Sequence, residues 1–289
     1  MSTPFVRNLI LGLSGFALAS STANAQEPIA ASLRTALCFH ASFDHGTDAD
    51  FARGDRALWT APTMTKRDAA LKGLPNSGEV TLEPKTGRSG SGCLRFSKSK
   101  GPMVFFKAEK NFPTPTANWS GTVSFWLSTD PAKDLWDGFC DPIQITSKQW
   151  DDAALFVEFE KRPSGIPFRL GVYADKKVWN PTGRKFEEIP AAEKPLLGVE
   201  KPPFVGGKWT HVAFSVAHFN SGEPNGIATL YLDGKKAGEV SPRTQTFTWD
   251  PNQAAVMLGL SYVGLMDDLA LFERALTPEE IAQLFTNGL

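Results

Sequence analysis

"YVGLMDDLALFERALTPEEI", residues 262–281, sets two adjacent aspartates, Asp267 and Asp268, in a run that is otherwise apolar. Gly264 to Phe272 reads as a strand. The next residues carry a helix start: Thr277 as N-cap, Pro278 in the first turn and Glu280 three residues past the cap, which completes a capping box. A short helix is therefore expected over Thr277–Phe285, the one stretch with clear helical character.

Upstream, short runs alternate apolar and polar residues with a period of two. "GTVSFWLS" puts Val123, Phe125 and Leu127 on one face, and "WTHVAFSVAHF" does the same for Val212, Phe214 and Val216. "ALFVEFE" sets Leu155, Val157 and Phe159 against Phe156, Glu158 and Glu160. Such alternation is how a half-buried antiparallel strand reads. "ATLYLDGKKAGEV" adds a hairpin, because Asp233-Gly234 supplies the positive φ angles of a tight turn. Further strands are expected over Ala36–Phe43, Gly92–Phe96, Met103–Lys107, Pro142–Thr146, Phe168–Tyr173 and Ala255–Leu260. So many short strands predict an all-β, two-sheet antiparallel sandwich. Residues 174–207 interrupt the pattern with five prolines and read as an excursion across one sheet face.

The first residues read as an address. Arg7 precedes the apolar run Leu9–Ala19, and Ala23-Asn24-Ala25 has the small-x-small pattern of secretory cleavage. Residues 1–25 are thus expected to be a signal peptide, 26–35 a linker and 36–289 a single domain, in an exported protein. No stretch approaches the ~20 apolar residues of a membrane-spanning helix. With 30 basic and 31 acidic residues the net charge is −1, so no field recruits nucleic acid or an anionic membrane. Cys38, Cys93 and Cys140 match no zinc spacing. Their odd number leaves at least one thiol unpaired and room for one disulfide.

"GKWTHVAFSV", "GIATLYLDGKKAGEV" and "LGLSYVGLMDDLALFERALTPEEI" occur in an order and spacing that resembles the laminin G-like, concanavalin A-like lectin/glucanase domain family. Its last strand typically runs small-Gly-x-apolar-Asp-Asp/Glu-apolar, followed by an Arg-Ala-Leu-Ser/Thr turn and a Glu-containing helix. Here the match is Gly264, Met266, Asp267, Asp268 and Leu269, then Arg274, Ala275, Leu276, Thr277 and Glu280. The resemblance is specific over 208–285, looser over 36–173 and absent over 174–207. It implies a jelly roll with one concave sheet on which many members bind carbohydrate. It also implies a structural calcium ion tying the first strand to the last, with Asp44, Asp267 and Asp268 at the matching positions. Calcium wants six to eight oxygen ligands, which carboxylates and carbonyls of two adjacent strands can provide. The plainer reading is that the two aspartates cap and solvate an edge.

Sugars are held by aromatic faces and by side chains that hydrogen-bond hydroxyls. Of eight tryptophans, Trp136, Trp150 and Trp179 lie in polar, loop-like surroundings and are the expected carbohydrate contacts, with Asp151 and Asp152 beside Trp150. Trp126 and Trp209 are expected in the core, as is a structural His211; Trp59 and Trp249 have no assigned place. Glu158 and Glu160, two apart on a strand, would hold their carboxylates roughly 6.6 Å apart, near the separation at which carboxylate pairs cleave glycosidic bonds. The glucanases of this family carry an Asp between two such glutamates, which "FVEFEKR" lacks. Two exposed glutamates on a solvated face are the plainer reading. The acids of "DPAKDLWDGFCDP", Asp130 to Asp141, read as a solvated turn, since they lack the spacing of a calcium loop. A non-catalytic, glycan-binding module is therefore expected. The alternatives are a glycoside hydrolase or polysaccharide lyase using Glu158 and Glu160, and a protein-binding adhesion module.

Overall fold

The computed structural model describes Met1, residues 23–113 and residues 116–289. Most of the expected secretory segment, residues 2–22, lies outside them. Among the described residues, two antiparallel sheets stack as a sandwich. The first has nine strands, with the path Lys235–Arg243, Gly226–Leu232, Thr210–Phe219, Trp119–Ser128, Gly264–Phe272, Leu37–Ala41 and Phe51–Ala52, and the hairpin of Val80–Glu83 and Cys93–Phe96 attached to Gly264–Phe272. The second has eight, in the order Leu196–Val199, Phe168–Tyr173, Ala154–Lys161, Gly138–Thr146, Ala255–Leu260, Met103–Lys107, Trp59–Ala61 and Leu71–Lys72. The closing strand returns beside the opening one, with Phe39 opposite Leu271 and Ala41 opposite Leu269.

The period-two pattern becomes the core. Val123, Phe125, Leu127, Val212, Phe214 and Val216 from one sheet meet Leu155, Val157 and Phe159 from the other in a single buried cluster. Burying an apolar side chain of this size stabilises by about 1.5–3 kcal/mol. The Asp233-Gly234 turn forms as expected, with φ of 48° and 73°.

The paired aspartates sit at a β-bulge. The register between the closing strand and Trp119–Ser128 slips between Asp267 and Ala270, and Asp268 takes a φ of 56°. Met266 and Leu269 are both buried in the core, so the extra residue lets two consecutive carboxylates face away from it together.

Two helices pack on the outer face of the first sheet. Pro278–Asn287 carries the expected cap and capping box. The other, Ala23–Ala36, occupies the segment expected as a linker. Its Leu33 and Ala36 are buried with Ile281, Leu284 and Phe272, so it is a packed part of the sandwich. All three cysteines are buried and free, which corrects the option of a disulfide. Trp126 is buried as expected, with Arg88 over its ring, whereas Trp209 is half-buried just ahead of its strand. Trp249 joins an aromatic cluster with Trp119 and Phe247.

His211 is structural. It is buried, within hydrogen-bonding distance of Ser124 Oγ at 2.9 Å, and its backbone N–H donates to Asp233. Burial and the nearby Arg88 charge push its pKa down to about 3, so it stays neutral.

Candidate functional site

The outer face of the second sheet carries a cavity of about 1,100 Å3. The alternation that sends Leu155, Val157 and Phe159 into the core sends Phe156 and Glu158 to this face. Gln144, Asp141, Arg169 and Tyr173 join them from the neighbouring strands. Three loops form the walls: Met64–Asp68, Ser147–Trp150, and Phe186 with Glu187. Phe186 and Glu187 belong to the 174–207 excursion, which contributes the sheet's edge strand Leu196–Val199 and also one side of the groove. The excursion walls the face and does not fill it.

One wall is aromatic. Tyr173 stacks on Phe156 at 5.5 Å between ring centroids, and Trp150 meets Tyr173 and Phe186 edge-on at 5.6 and 5.7 Å. Trp150 keeps 45% of its surface exposed, so one face of this cluster is free to stack.

The floor is ionic. Arg169 lies opposite Glu158 in the strand register. Its Nε donates to Glu158 Oε1 at 3.0 Å, and its Nη1 to Glu160 Oε2 at 2.8 Å. One guanidinium thus holds both glutamates, with a further Nη2 contact to Glu158. Burial raises the Glu158 pKa against the opposing pull of Arg169. The pair is not two free carboxylates on a solvated face, since Glu158 is buried, and Glu160 does not line the cavity. Asp141 also departs from its expected place. It lies in the strand Gly138–Thr146, faces the groove, and has its pKa pushed well above the usual range by burial and by the Glu158 charge. Asp130, by contrast, caps a short helix, accepting from Ala132 and Lys133, as a turn residue would.

Of the five expected carbohydrate contacts, Trp150 alone lines the groove. Trp179 is half-buried, with Nε1 donating to the Asp151 carbonyl at 2.8 Å and its ring edge-on to Tyr173. The Asp151 carboxylate pairs with Lys176 at 2.7 Å, and Asp152 accepts from the Lys176 N–H at 2.9 Å and pairs with Lys148. These three residues lash the Trp150 loop to the excursion and so position the platform. Trp136 stands elsewhere, exposed beside Lys100, in a shallow depression with Ser97 and Val263. Arg169, Asp141, Gln144, Tyr173 and Phe186 were not foreseen. The polar phase of "FRLGVY" did mark Arg169 as outward, but only the register pairs it with Glu158.

Of the three expected metal positions, Asp44 and Asp267 meet at one loop and Asp268 is engaged elsewhere. Asp44 Oδ1 accepts from the Gly92 N–H, and Asp267 Oδ2 from the Arg88 N–H, each at 2.7 Å. Both carboxylates therefore grip one loop, Gly87–Gly92. Any Cβ at Gly87 or Gly92 would collide with the carbonyl oxygens of Gly92 or Phe43 at about 2 Å. Asp268 is taken up by His40 Nε2 at 2.9 Å and Arg88 at 3.5 Å. Burial pushes the Asp267 pKa up to about 7, with Asp268 and Asp44 adding to the rise and the loop hydrogen bonds opposing it.

No curated protein sequence matches the chain. Among solved structures, Domain 4 of AbnA, a GH43 extracellular arabinanase from Geobacillus stearothermophilus, in complex with arabinotriose, is similar with a TM-score of 0.51 and 17% identity, over 86% of this chain and 98% of that one. The binding domain of Paraclostridial Mosquitocidal Protein 1 is similar with a TM-score of 0.48 and 12% identity, over 86% of this chain and 51% of that one. Trypanosoma rangeli sialidase, in complex with 2,3-difluorosialic acid, is similar with a TM-score of 0.49 and 15% identity, over 87% of this chain and 33% of that one. The Laminin_G_3 family profile matches residues 106–282, and with this match and the two-sheet topology the chain belongs to the concanavalin A-like lectin/glucanases superfamily.

Proposed function

We propose that this protein is an exported, non-catalytic glycan-binding domain whose ligand lies in the groove on the outer face of the second sheet. One observation carries the reading: a cavity of about 1,100 Å3 in which an exposed tryptophan and buried hydrogen-bonding side chains face the same space. Its volume exceeds the ~300–1,000 Å3 of ordinary small-molecule pockets, which suits an oligosaccharide. Trp150 supplies the stacking face, and Gln144, Glu158 and Arg169 the hydrogen bonds to hydroxyls. The arabinotriose bound to the similar arabinanase domain agrees with this reading. Among the described residues no helix is long and apolar enough to cross a membrane.

The test is a glycan array followed by calorimetry on the best ligand. Trp150→Ala is expected to weaken binding about tenfold, the scale of one aromatic contact, while Trp136→Ala leaves it unchanged. No binding to any glycan, alongside a measured protein partner, would overturn the proposal in favour of an adhesion module.

A second reading rests on Asp141. Asp141, its carboxyl pKa raised by burial and the Glu158 charge, stands beside an Arg-held Glu158, a carboxyl pair of the kind that cleaves glycosidic bonds, with Asp141 in the place expected for Glu160. Release of reducing ends from a bound glycan, lost in Asp141→Asn, would establish it.

We further propose that calcium bridges Asp44 and Asp267. The fit rests on two nearby carboxylates over a loop whose glycines leave backbone carbonyls close by, with Asp267 short of positive charge. Among the described residues no three acidic, histidine or cysteine side chains are placed to hold a metal ion together, so the remaining oxygens would be backbone carbonyls.

A further inference from the structure

The floor of the groove is short of positive charge. Arg169 is shared between Glu158 and Glu160. Asp141 opens into the same groove beside Glu158, and among the described residues it has no hydrogen bond or ion pair through its side chain. Glu160, outside the cavity, also pairs with Arg162 at 3.4 Å, so within the groove the two carboxyl groups of Asp141 and Glu158 share the single guanidinium of Arg169. The other groove cations are engaged: Lys148 with Asp175 at 2.7 Å and Asp152 at 3.4 Å, and Arg67 with the carbonyls of Thr146 at 3.4 Å and Ser147 at 3.0 Å. Asp68 and Glu187 line the rim as exposed acids, with no ion pair among the described residues.

The aromatic wall adds to the same preference. Trp150, Phe156, Tyr173 and Phe186 line the same cavity as Asp141 and Glu158. Ring faces attract a cation, by about 0.5–1 kcal/mol when exposed and more when desolvated. An ammonium has three donors and no acceptor, which matches the unpartnered acceptors of Asp141. A carboxylate or sulfate on the ligand would instead meet acids of like charge.

We propose that the groove selects glycans bearing a free, protonated amine, such as de-N-acetylated amino sugars, with the ammonium seated between Asp141 and Glu158 against the aromatic wall. This rests on the glycan-binding reading above. Neutral sugars still stack on Trp150, but they leave Asp141 without a partner.

The experiment is calorimetric titration of the full chain with three oligosaccharides of equal length: fully deacetylated glucosamine oligomers, their N-acetylated counterparts, and oligogalacturonate. The deacetylated oligomer is expected to bind at least tenfold more tightly than the acetylated one, and the galacturonate most weakly. Raising the salt concentration should narrow the first difference, because it is electrostatic. Asp141→Asn should abolish the tenfold preference and keep the affinity for the acetylated oligomer, with a thermal melt confirming the fold. Should that variant fail to fold, the wild-type comparison and its salt dependence decide alone. Equal affinities for the deacetylated and acetylated oligomers, tighter binding of galacturonate, or a preference that survives Asp141→Asn would overturn this inference alone. Failure of every saccharide to bind would overturn it together with the glycan reading.

Discussion

Replacing Glu280 by glutamine is the most direct test of how the C-terminal motif holds the fold. The Glu280 carboxylate accepts from Arg274 Nη1 at 2.7 Å and Nη2 at 2.5 Å, from Ser32 Oγ at 2.8 Å and from the Thr277 N–H at 2.9 Å. It therefore joins the exit of the last strand, the cap of the C-terminal helix and the N-terminal helix at one point. The Arg274 hydrogen bonds are the largest cause of a pKa lowered from 4.5 to about 2. At about 1.4 kcal/mol per tenfold, that drop corresponds to about 3 kcal/mol. Arg274 is a third open to water, so screening trims the expectation to about 2 kcal/mol.

A carboxyl whose folded pKa lies below its unfolded value stabilises the fold at pH above about 5, and that contribution is lost as pH falls from about 5 to about 2. Urea denaturation of wild type and Glu280→Gln should therefore differ by about 2 kcal/mol at pH 7, by less at pH 4, and hardly at all near pH 2. Other carboxyls titrate over this range in both proteins and cancel in the difference. A loss that is the same at every pH would mean that shape, and not charge, matters at this position. No loss at pH 7 would refute the assigned tie between the helices and the last strand.

Chelation should lower the melting temperature of the calcium-loaded protein, and Asp267→Asn should remove that response; a wild type indifferent to chelator refutes the bridging ion. Gly259 has a φ of 67°, and a Cβ there would lie 2.1 Å from a Phe96 ring carbon. Gly259→Ala should cost at least about 1–3 kcal/mol of unfolding free energy, and an unchanged urea midpoint would count against this packing. Burial pushes the Cys38 thiol up to about 11 and those of Cys93 and Cys140 up to about 12. A thiol reagent at pH 8 should therefore label none of the three in the native state and all of them in denaturant; fast native labelling would refute their burial.

What could be read from the sequence was local. Asp233-Gly234 carries its own turn chemistry, Thr277 to Glu280 its own cap, and period-two alternation its own sidedness, so each survived into the structure. The N-terminal helix also left a signal, Ile29, Leu33 and Ala36 at spacings of four and three. It was masked by its position just after the secretory pattern. The groove is the opposite case. Glu158 and Arg169 are eleven residues apart in sequence and meet only through the hairpin register. Trp179 and Trp150 sit in equally polar stretches, yet one is tied down by a hydrogen bond to Asp151 and the other is left open. No residue count distinguishes such cases, because the deciding partner lies on another strand or loop.

The sandwich also separates the residues that identify the family from those that face the groove. Thr210–Phe219, Gly226–Leu232 and Gly264–Phe272, which hold most of the recognisable motif, are all in the first sheet. Gly138–Thr146, Ala154–Lys161 and Phe168–Tyr173, which floor the groove, are all in the second, and the side chains that line it face away from the shared core. A change on that outer face need not disturb the packing between layers, so the ligand can vary while the fold is kept. Trp150→Ala and Glu280→Gln should accordingly dissociate: the first weakens binding at constant melting temperature, the second lowers melting temperature at constant affinity. A Trp150 variant that loses stability along with binding would place the groove inside the fold's own cooperative core, and the separation of roles between the two sheets would fail with it.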